Sequence, residues 1–307
     1  MIKTLRQSNA DSPWNTGIDG PYLAWRDQKL ACLASIPTPA DRVEIRDLAD
    51  PSGAERAEIM RRCQVSNAAF YVSEDNSDDM EKVRQQLQGF ARAMGLNIAE
   101  KHRSAGDDGI VALRQSKQQS QRAYIPYSKK PMNWHTDGYY NRADQKIRAM
   151  VLHCVNPASD GGVNQFLDPE IAYLRLRDEN PNYIKALMHP AAMTIPENRE
   201  KDGSLRPVSI GPVFSVCETT GHLEMRYTAR TRSIQWRDDD MTAQAVAHLQ
   251  VLLAADDPFI QTTKMQAGEG ILCNNSLHNR TGFDPNLNTD SNRLIYRIRF
   301  HNRVSGS

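Results

Sequence analysis

The spacing of hydrophobic residues changes about a third of the way along the chain. In residues 54–66 and 78–95 apolar residues recur at intervals of three or four, which predicts two helices. Between them, residues 68–73 (AAFYVS) form a continuous apolar run that is typical of a short strand. Proline punctuates the first 40 residues, for which we predict irregular structure.

After residue 108 the chain breaks into short apolar or alternating runs, separated by turn residues such as SDGG and AGEG. Helical patterns interrupt these predicted strands at 168–187 and 239–254. Many strands with few helices favour a mainly β sandwich or barrel with flanking helices. We expect one domain over the whole chain, in which residues 1–107 pack on a β core formed by residues 108–303.

Charge and composition argue against several classes of partner. Lys plus Arg number 38 against 37 Asp plus Glu, and a net charge of +1 gives no electrostatic case for nucleic acid or an anionic membrane. No apolar stretch reaches the ~18 residues of a membrane helix, and the N-terminus lacks the apolar core of a secretory signal. The five cysteines are widely spaced without a C-x-x-C pair, which favours reduced thiols in the cytoplasm.

The segment 132–139 (MNWHTDGY) contains a histidine, His135, and an aspartate, Asp137, with one residue between them. A second histidine, His278, follows a predicted strand in the segment 268–283 (GEGILCNNSLHNRTGF), where we expect it in a polar loop. Two imidazoles and one carboxylate can occupy one face of an octahedron, as in non-haem Fe(II) oxygenases. The opposite face then stays open for a bidentate 2-oxo acid and O2. Taken singly, each of these residues also fits a structural role.

The last apolar segment, residues 293–300 (RLIYRIRF), alternates between arginine and apolar residues. In a strand, Arg293, Arg297 and Arg299 project from one face and the apolar side chains from the other. A guanidinium presented near a metal site is a natural receptor for a dicarboxylate cosubstrate, and we expect this role for Arg293. For Arg299 we predict a salt-bridged outer face.

These motifs, in this order along the chain, resemble the taurine dioxygenase family. The resemblance rests on WHTDG, GGVN, GEGILCNNSLHNR and RLIYR, and it covers roughly residues 120–300. The family consists of Fe(II)- and 2-oxoglutarate-dependent oxygenases of the clavaminate synthase-like superfamily. It implies a double-stranded β-helix (jelly roll, cupin-like) core with the metal at its open end. It also implies Fe(II), 2-oxoglutarate and O2 as cofactors.

The resemblance implies roles for individual residues. His135, Asp137 and His278 match the iron ligands, and so the catalytic centre. Arg293 matches the arginine that pairs with the distal carboxylate of 2-oxoglutarate. Asn164, in GGVN, stands where relatives often carry a Thr or Ser that hydrogen-bonds the same carboxylate. An asparagine amide can donate the same bond.

The candidate substrate contacts lie close to these motifs. Arg297 matches the arginine that holds the anionic group of the substrate in the taurine enzyme. The insertion PNLNTDS before this strand leaves open whether Arg293 or Arg297 binds 2-oxoglutarate. Gly138 gives room for close approach of a substrate, whereas Tyr139 and Arg226 fit either a pocket wall or ordinary structural roles.

The resemblance implies hydroxylation of an aliphatic C–H bond in a small anionic metabolite, either a carboxylate, an amino acid or a sulfonate. Succinate and CO2 are the other products. The same iron chemistry also gives desaturation or cyclisation, which the sequence leaves open. Two other classes also stay open, a jelly-roll protein that binds metal without turnover and a zinc hydrolase. The sequence does not fix the oligomeric state, although homo-oligomers are common among proteins of this kind.

Overall fold

A computed structural model of the protein describes residues 11–34, 38–75, 77, 79–100, 107–114, 127–199, 203, 205–232, 234–284 and 293–307. The helices in these ranges are α1 Asp19–Leu33, α2 Gly53–Ser66, α3 Met80–Ala93, α4 Pro169–Glu179, α5 Pro181–Leu187 and α6 Asp240–Ala254. The fold also contains many strands, most of them short.

In chain order the strands are β1 Val43–Ile45, β2 Ala68–Ser73, β3 Val111–Leu113, β4 Met132–His135, β5 Ala149–Asn156, β6 Asp160–Gly161, β7 Asn164–Leu167, β8 Met193–Ile195, β9 Asn198–Arg199, β10 Leu205–Arg206, β11 Ser209–Gly211, β12 Phe214–Val216, β13 Leu223–Met225, β14 Gln235–Trp236, β15 Gln261–Thr263, β16 Glu269–Cys273, β17 Leu277–Arg280, β18 Phe283–Asp284 and β19 Leu294–Phe300.

The chain divides into two compact units. The first, here called the sheet unit, contains the described residues within 37–168, 226–232 and 256–307. Its larger sheet has the strand order β1-β2-β16-β5-β19-β3, and its smaller sheet has the order β15-β7-β17-β4. All neighbours in these two sheets are antiparallel except β1 and β2. Segments far apart in the sequence therefore become neighbours in each sheet.

Helices α2 and α3 start at side-chain caps and cover one face of the larger sheet. Ser52 and Glu55 form a reciprocal capping box at α2, and the carboxylate of Asp79 accepts backbone N–H groups at the start of α3. The apolar faces of both helices share a buried cluster with alternate residues of the sheet. This cluster includes Ile59, Cys63, Leu87, Phe90, Tyr71, Tyr296 and Ile298.

The opposite face of the larger sheet packs on the smaller sheet. The buried cluster between them includes Phe70 and Ile295 from the larger sheet and Phe166 from β7. The rings of Phe70 and Phe166 meet edge to face with centroids 5.7 Å apart. Since Ile295 belongs to this cluster and Tyr296 to the helix-side cluster, the odd-numbered side chains of β19 face the smaller sheet. The alternation predicted for residues 293–300 is thereby confirmed.

The second unit, here called the helical unit, contains the described residues within 1–36, 169–225 and 233–255. It holds α1, α4, α5 and α6 with three short sheets, β11-β8-β14, β12-β13 and β10-β9. Arg177 of α4 is buried, and its guanidinium lies 3.9 Å from the ring centroid of Tyr22. The guanidinium also donates to the backbone carbonyls of Pro13 and Asn15, so it ties the start of the described chain to α4.

The irregular structure predicted for the first 40 residues is wrong for residues 19–33, which form α1. Pro21 lies in the first turn of this helix, where a missing N–H removes no intrahelical hydrogen bond. The helix buries few of its side chains, among them Tyr22 and Lys29. Its sequence consequently lacks a continuous apolar stripe from which a helix is predicted.

Most other predicted elements are confirmed, with shifted ends. The helix predicted at 168–187 is two helices, because Asn180 caps a new helix that starts at Pro181. Asp78, at the start of the second predicted helix, lies outside the described residues. Within the ranges given above, no helix is both long and apolar enough to cross a membrane. The single domain and the cytoplasmic location stay predictions.

Candidate metal centre

His135 and His278 face each other across two neighbouring strands. His135 ends β4, His278 lies within β17, and the two residues are directly paired in the antiparallel register. Paired residues direct their side chains to the same face of a sheet, and here the ring centroids are 4.2 Å apart. The polar loop predicted for His278 is wrong, because β17 is paired on both sides. Its polar residue Asn279 hydrogen-bonds Gln165 of β7.

Asp137 joins the two histidines just after β4 ends. Candidate ligand atoms of His135, Asp137 and His278 all lie within 4.8 Å of one another, and the three residues are buried. The side chain of Asn275 accepts the Asp137 backbone N–H at 2.8 Å and donates to the Asp137 carbonyl at 3.0 Å. Asn275 thus ties the turn before β17 to the backbone of the carboxylate residue.

Both imidazoles are held with Nε2 available for a metal. Nδ1 of His135 lies 2.9 Å from the carbonyl of Asn133, and Nδ1 of His278 lies 3.0 Å from the carbonyl of Ser276. A carbonyl only accepts, so each Nδ1 carries the proton and each Nε2 keeps its lone pair. Burial lowers the pKa of His135 to about 3, with a further contribution from His278. Burial also lowers the pKa of His278, so both rings are neutral at physiological pH.

The two oxygens of the Asp137 carboxylate have different surroundings. Arg297 donates from Nη1 to Oδ1 at 3.3 Å, and Nη1 of Arg299 lies 3.7 Å from the same oxygen. Burial raises the pKa of Asp137, but Arg297, Arg299 and the nearby imidazoles hold it below the usual range. Oδ2 is buried and has no hydrogen-bond partner in the described part of the chain. Oδ2 is therefore the carboxylate atom left for a ligand.

This donor set fits a ferrous ion. Two neutral Nε2 atoms and one orphaned carboxylate oxygen form the two-histidine, one-carboxylate set that is typical of non-haem Fe(II) sites. Among the described residues the cluster contains no cysteine, whose thiolate would favour zinc or an iron–sulfur cluster. His135, Asp137 and His278 are thus the residues able to hold the metal.

Arg299 lies in a buried ion pair, so the outer face predicted for it is wrong. The smaller sheet covers the odd-numbered face of β19, and both faces of this strand are buried. The guanidinium pairs with Glu100 and donates to the Tyr140 hydroxyl at 3.1 Å. The other oxygen of Glu100 accepts from Asn141 at 2.9 Å. The alternating arginines signal Arg299, but no sequence pattern identifies Glu100 or Asn275.

Arg293 is a buried cation stacked on an aromatic ring. It is 7% exposed, and its guanidinium lies 5.0 Å from the ring centroid of Phe283. Burial lowers the pKa of Arg293 to about 10. No Asp or Glu in the described chain forms an ion pair with it. A Cβ added to Gly162, whose φ is +69°, would lie 3.5 Å from Arg293 Nε, so the GGVN turn packs directly against this guanidinium.

Asn164 and Arg280 are neighbours in the smaller sheet, where they are paired residues of β7 and β17. The Asn164 amide donates from Nδ2 to the carbonyl of Asn279 at 3.0 Å. Its buried Oδ1 has no hydrogen-bond partner among the residues that the structure describes. The guanidinium of Arg280 also lies near the Phe283 ring, 4.9 Å from its centroid. It donates to two backbone carbonyls, those of Ser128 and Lys130.

The predicted substrate residues follow the carboxylate directly. The Tyr139 ring meets the His135 ring edge to face with centroids 6.4 Å apart, and the Tyr139 carbonyl accepts from Arg226 Nε at 2.7 Å. Gly138 has φ of +66°, and a Cβ there would come within 2.5 Å of Ile147. Both the backbone and this packing require glycine, so substrate contact at Gly138 stays a prediction.

Comparison with known families gives one match that spans most of the chain. The model described as "Taurine catabolism dioxygenase TauD, TfdA family" matches residues 78–299. This range contains the two histidines and the aspartate, together with the arginines of β19.

Individual relatives are more distant. A uridine-5′-phosphate dioxygenase from Amycolatopsis sp is 33% identical over 95 residues, which are 31% of this chain and 33% of that enzyme. The match therefore spans about a third of that enzyme's length. An asparagine oxygenase, solved with Fe(II), 3-hydroxyasparagine and succinate, superposes with a TM-score of 0.59 at 12% identity, over 80% of this chain and 78% of the other. A taurine dioxygenase from Burkholderia xenovorans gives a TM-score of 0.52 at 17% identity, over 83% and 82% of the two chains.

Proposed function

The chain belongs to the taurine catabolism dioxygenase TauD/TfdA family, whose members are 2-oxoglutarate-dependent non-haem iron dioxygenases, and from this premise we propose the reaction that it catalyses. It hydroxylates an aliphatic C–H bond of a small anionic metabolite, with release of succinate and CO2. The observation that carries this proposal is the buried triad, in which two Nε2 atoms and the orphaned Asp137 Oδ2 lie together.

His135, Asp137 and His278 hold Fe(II) and form the catalytic centre. When bound, Fe(II), 2-oxoglutarate and O2 supply the oxidising chemistry that a protein side chain lacks. The carbonyls of Asn133 and Ser276 fix the tautomer and the orientation of the two rings. Burial of all three residues excludes bulk water from the reacting atoms.

Arg293 binds the distal carboxylate of 2-oxoglutarate. Its support is a desolvated guanidinium that stacks on Phe283 and has no carboxylate partner in the described chain. Such a group is stabilised strongly when a carboxylate arrives. Asn164 assists through the second N–H of its amide, since the first is bonded to the carbonyl of Asn279. Arg297 is engaged with Asp137, which favours Arg293 over Arg297 as the cosubstrate receptor.

The substrate lies against Tyr139, Gly138 and Arg226, with Arg297 behind the carboxylate of Asp137. The positive side chains in this region favour an anionic substrate. The names of relatives suggest where to start a screen, since one acts on uridine 5′-phosphate and another was solved with 3-hydroxyasparagine. Carboxylates, amino acids, sulfonates and nucleoside monophosphates are the classes to test.

We also propose that the two facing sheets are the halves of a double-stranded β-helix. Its support is the path of the chain, which crosses repeatedly between the two sheets, from β3 to β4 to β5 to β7 and again from β15 to β16 to β17 to β19. Strands β3, β5, β16 and β19 belong to the larger sheet, whereas β4, β7, β15 and β17 belong to the smaller one. This architecture brings the ends of β4 and β17 to the metal centre.

The first test is an anaerobic titration of metal-free protein with Fe(II) and 2-oxoglutarate. A 2-oxo acid chelated to Fe(II) gives a weak visible charge-transfer band, which we expect for the wild-type protein. His135→Ala removes a ligand and should abolish the band. Arg293→Gln should keep the band but need about tenfold or more 2-oxoglutarate, because a charge-assisted pair to the distal carboxylate is lost.

Arg61→Gln is the control, since Arg61 is an exposed residue of α2 paired with Glu58 and should titrate as wild type. A protein that binds Fe(II) but never develops the band with 2-oxoglutarate would contradict the proposal. In that case, activity that zinc supports without O2 would identify a hydrolase.

A further inference from the structure

One buried asparagine connects the turn before β17 to the carboxylate residue of the metal centre. Asn275 is 7% exposed, and its side chain makes three hydrogen bonds within the part of the chain that the structure describes. We propose that Asn275 is a positioning residue, which fixes the direction of Asp137 relative to His278 and so raises the affinity of the site for Fe(II). The inference rests on the proposed function, because it requires that Asp137 and His278 hold the metal.

The hydrogen bonds of Asn275 use its whole amide group. Oδ1 accepts the backbone N–H of Asp137 at 2.8 Å. Nδ2 donates to the backbone carbonyl of Asp137 at 3.0 Å and to that of Ile147 at 2.8 Å. Because both carbonyls only accept and the backbone N–H only donates, one orientation of the amide satisfies all three groups. The residue that carries the proposed ligand is therefore held on both sides of its Cα atom.

The turn that contains Asn275 also orients the second histidine. Residues 274–276 connect the end of β16 to the start of β17. The carbonyl of Ser276 lies 3.0 Å from Nδ1 of His278, with which it forms a hydrogen bond. Two consecutive residues of one turn thus support two of the three proposed ligands. Asn275 holds the backbone of Asp137, and Ser276 holds the ring of His278.

The backbone of this turn is fixed by groups other than the proposed ligands. The N–H of Asn274 donates to the carbonyl of Asn67 at 2.8 Å, and the Ser276 hydroxyl donates to the same carbonyl at 3.1 Å. Asn275 has φ of +52°, in the left-handed region that asparagine adopts more readily than most other residues. The turn is thus a fixed base from which the Asn275 side chain reaches Asp137.

With its backbone held by Asn275, Asp137 keeps little conformational freedom. Arg297 donates to its Oδ1, and Oδ2 is buried with no hydrogen-bond partner among the described residues. A ligand that is oriented before the metal arrives loses less conformational entropy on binding. Removal of the groups that orient a metal ligand lowers metal affinity by about 10- to 100-fold.

The test compares two asparagines that share a backbone conformation. Asn67 also has a positive φ, of +56°, and a buried side chain, which bonds Asp168, Asn274 and Arg303. None of these three partners is a proposed metal ligand. Asn275→Gly and Asn67→Gly delete the same side chain in a conformation that glycine adopts freely, so Asn67→Gly is the matched control.

Equilibrium dialysis of the metal-free proteins against Fe(II) under nitrogen measures the affinity, at a temperature where circular dichroism shows all of them folded. We expect Asn275→Gly to bind Fe(II) about tenfold or more weakly than wild type and Asn67→Gly to bind it within about twofold of wild type. Both variants should have lower melting temperatures, because each loses buried hydrogen bonds. The melting temperature reports the structural role of each side chain, whereas the difference in Fe(II) affinity reports positioning.

Equal Fe(II) affinities of Asn275→Gly and wild type would overturn the inference. Equal losses in the two glycine variants would also overturn it, since they would show a general loosening of the fold. If Asn275→Gly does not fold, Asn275→Ser and Asn67→Ser make the same comparison with a milder change, because a serine hydroxyl offers one donor where the amide offers two.

The charge-transfer band separates this inference from the proposed function. It is recorded in the dialysed samples after 2-oxoglutarate is added. Wild-type protein that binds Fe(II) without the band would reject the oxygenase chemistry, and the Fe(II) affinities would still decide the role of Asn275. A normal wild-type band, with equal Fe(II) affinity in Asn275→Gly, would reject the positioning role alone. Wild-type protein that binds no Fe(II) would reject both.

Discussion

At the scale of single residues, Asp137 is the side chain on which the metal centre depends most. Its Oδ1 is held by Arg297 and lies near Arg299, its backbone is tied by Asn275, and its Oδ2 is left orphaned. A carboxylate held by one oxygen presents the other in a fixed direction. Asp137 would therefore hold the proposed iron through Oδ2, while the arginines keep Oδ1 in place. Glu100 pairs with Arg299 and so helps to position the groups around the Asp137 carboxylate.

Glu100→Gln tests whether the ion pair between Glu100 and Arg299 stabilises the surroundings of Asp137. The change removes the negative charge opposite a buried guanidinium, and breaking a buried ion pair costs about 3–5 kcal/mol. We expect a lower melting temperature of the metal-free protein and a weaker affinity for Fe(II), measured by scanning calorimetry and by equilibrium dialysis. Glu58→Gln is the control, since it breaks ion pairs on the surface of α2 that are worth about 1 kcal/mol or less. Equal effects of the two substitutions would mean that Glu100 supports nothing beyond a surface charge pair.

The residues brought together at the metal centre were only partly predictable. The two histidines and the aspartate can be predicted because an H-x-D motif and a distant histidine supply a complete ligand set. The role of Glu100 cannot be predicted, since a single glutamate in a polar segment gives the same sequence pattern whether its carboxylate lies in solvent or beside Arg299. The fate of Arg299 depends on which faces of β19 are covered, and that is a property of the two sheets.

At the scale of elements, the centre of the larger sheet depends on a close approach between β2, β16 and β5. Tyr71 of β2 and His153 of β5 stack with ring centroids 6.0 Å apart, and the hydroxyl lies 3.3 Å from His153 Nδ1. Gly270 of β16 is paired with both residues. A Cβ at Gly270 would lie 2.3 Å from Tyr71 Cζ and 2.6 Å from the carbonyl of Leu152.

Gly270→Ala should therefore destabilise the protein. The methyl group has no space in a strand whose neighbours are fixed on both sides, and overpacking of this kind costs about 1–3 kcal/mol or more. Gly53→Ala is the matched control, because no atom lies within 4 Å of its added Cβ and it starts α2. Urea unfolding of both variants gives the free energies. A Gly270→Ala variant as stable as Gly53→Ala would show that the sheet relaxes to admit the methyl group.

Helices and strands were predicted correctly where hydrophobic residues recur at a regular spacing. The prediction failed where contacts with distant parts of the chain determine the structure. Helix α3 places its apolar residues on one face, so its sequence identifies it. Helix α1 has no such stripe, and its contacts come from the helical unit, for example between Lys29 and Glu170. The polar composition around His278 predicted a loop, yet pairing with β4 and β7 makes this segment a strand. Pairing between strands distant in sequence leaves no local pattern.

At the scale of the whole molecule, buried histidines link stability to pH. His153 is buried in the larger sheet, and burial lowers its pKa to about 4. Above pH ~6.5 the group is neutral in both the folded and the unfolded states. Between pH ~6.5 and ~4 the unfolded chain binds a proton that the folded protein does not, so the free energy of unfolding falls as pH falls. For His153 the full effect on the free energy of unfolding is about 3 kcal/mol.

His153→Gln removes this contribution. We expect its free energy of unfolding, measured by urea denaturation of metal-free protein from pH 7.5 to 4.5, to fall less steeply than that of the wild type. The remaining slope includes His135 and His278, whose pKa values burial also lowers. Parallel pH profiles for the two proteins would mean that His153 is protonated equally in both states.

The opposition of His135 and His278 on β4 and β17 also determines when the metal site forms during folding. The two histidines are separated by nearly half of the chain, and they meet only when β17 pairs with β4. Contacts between residues so far apart in the sequence form slowly, because a long loop must close before these contacts stabilise the fold. A partly folded chain offers a metal only the local pair His135 and Asp137. Full-strength Fe(II) binding at the proposed site would consequently mark the completed native topology.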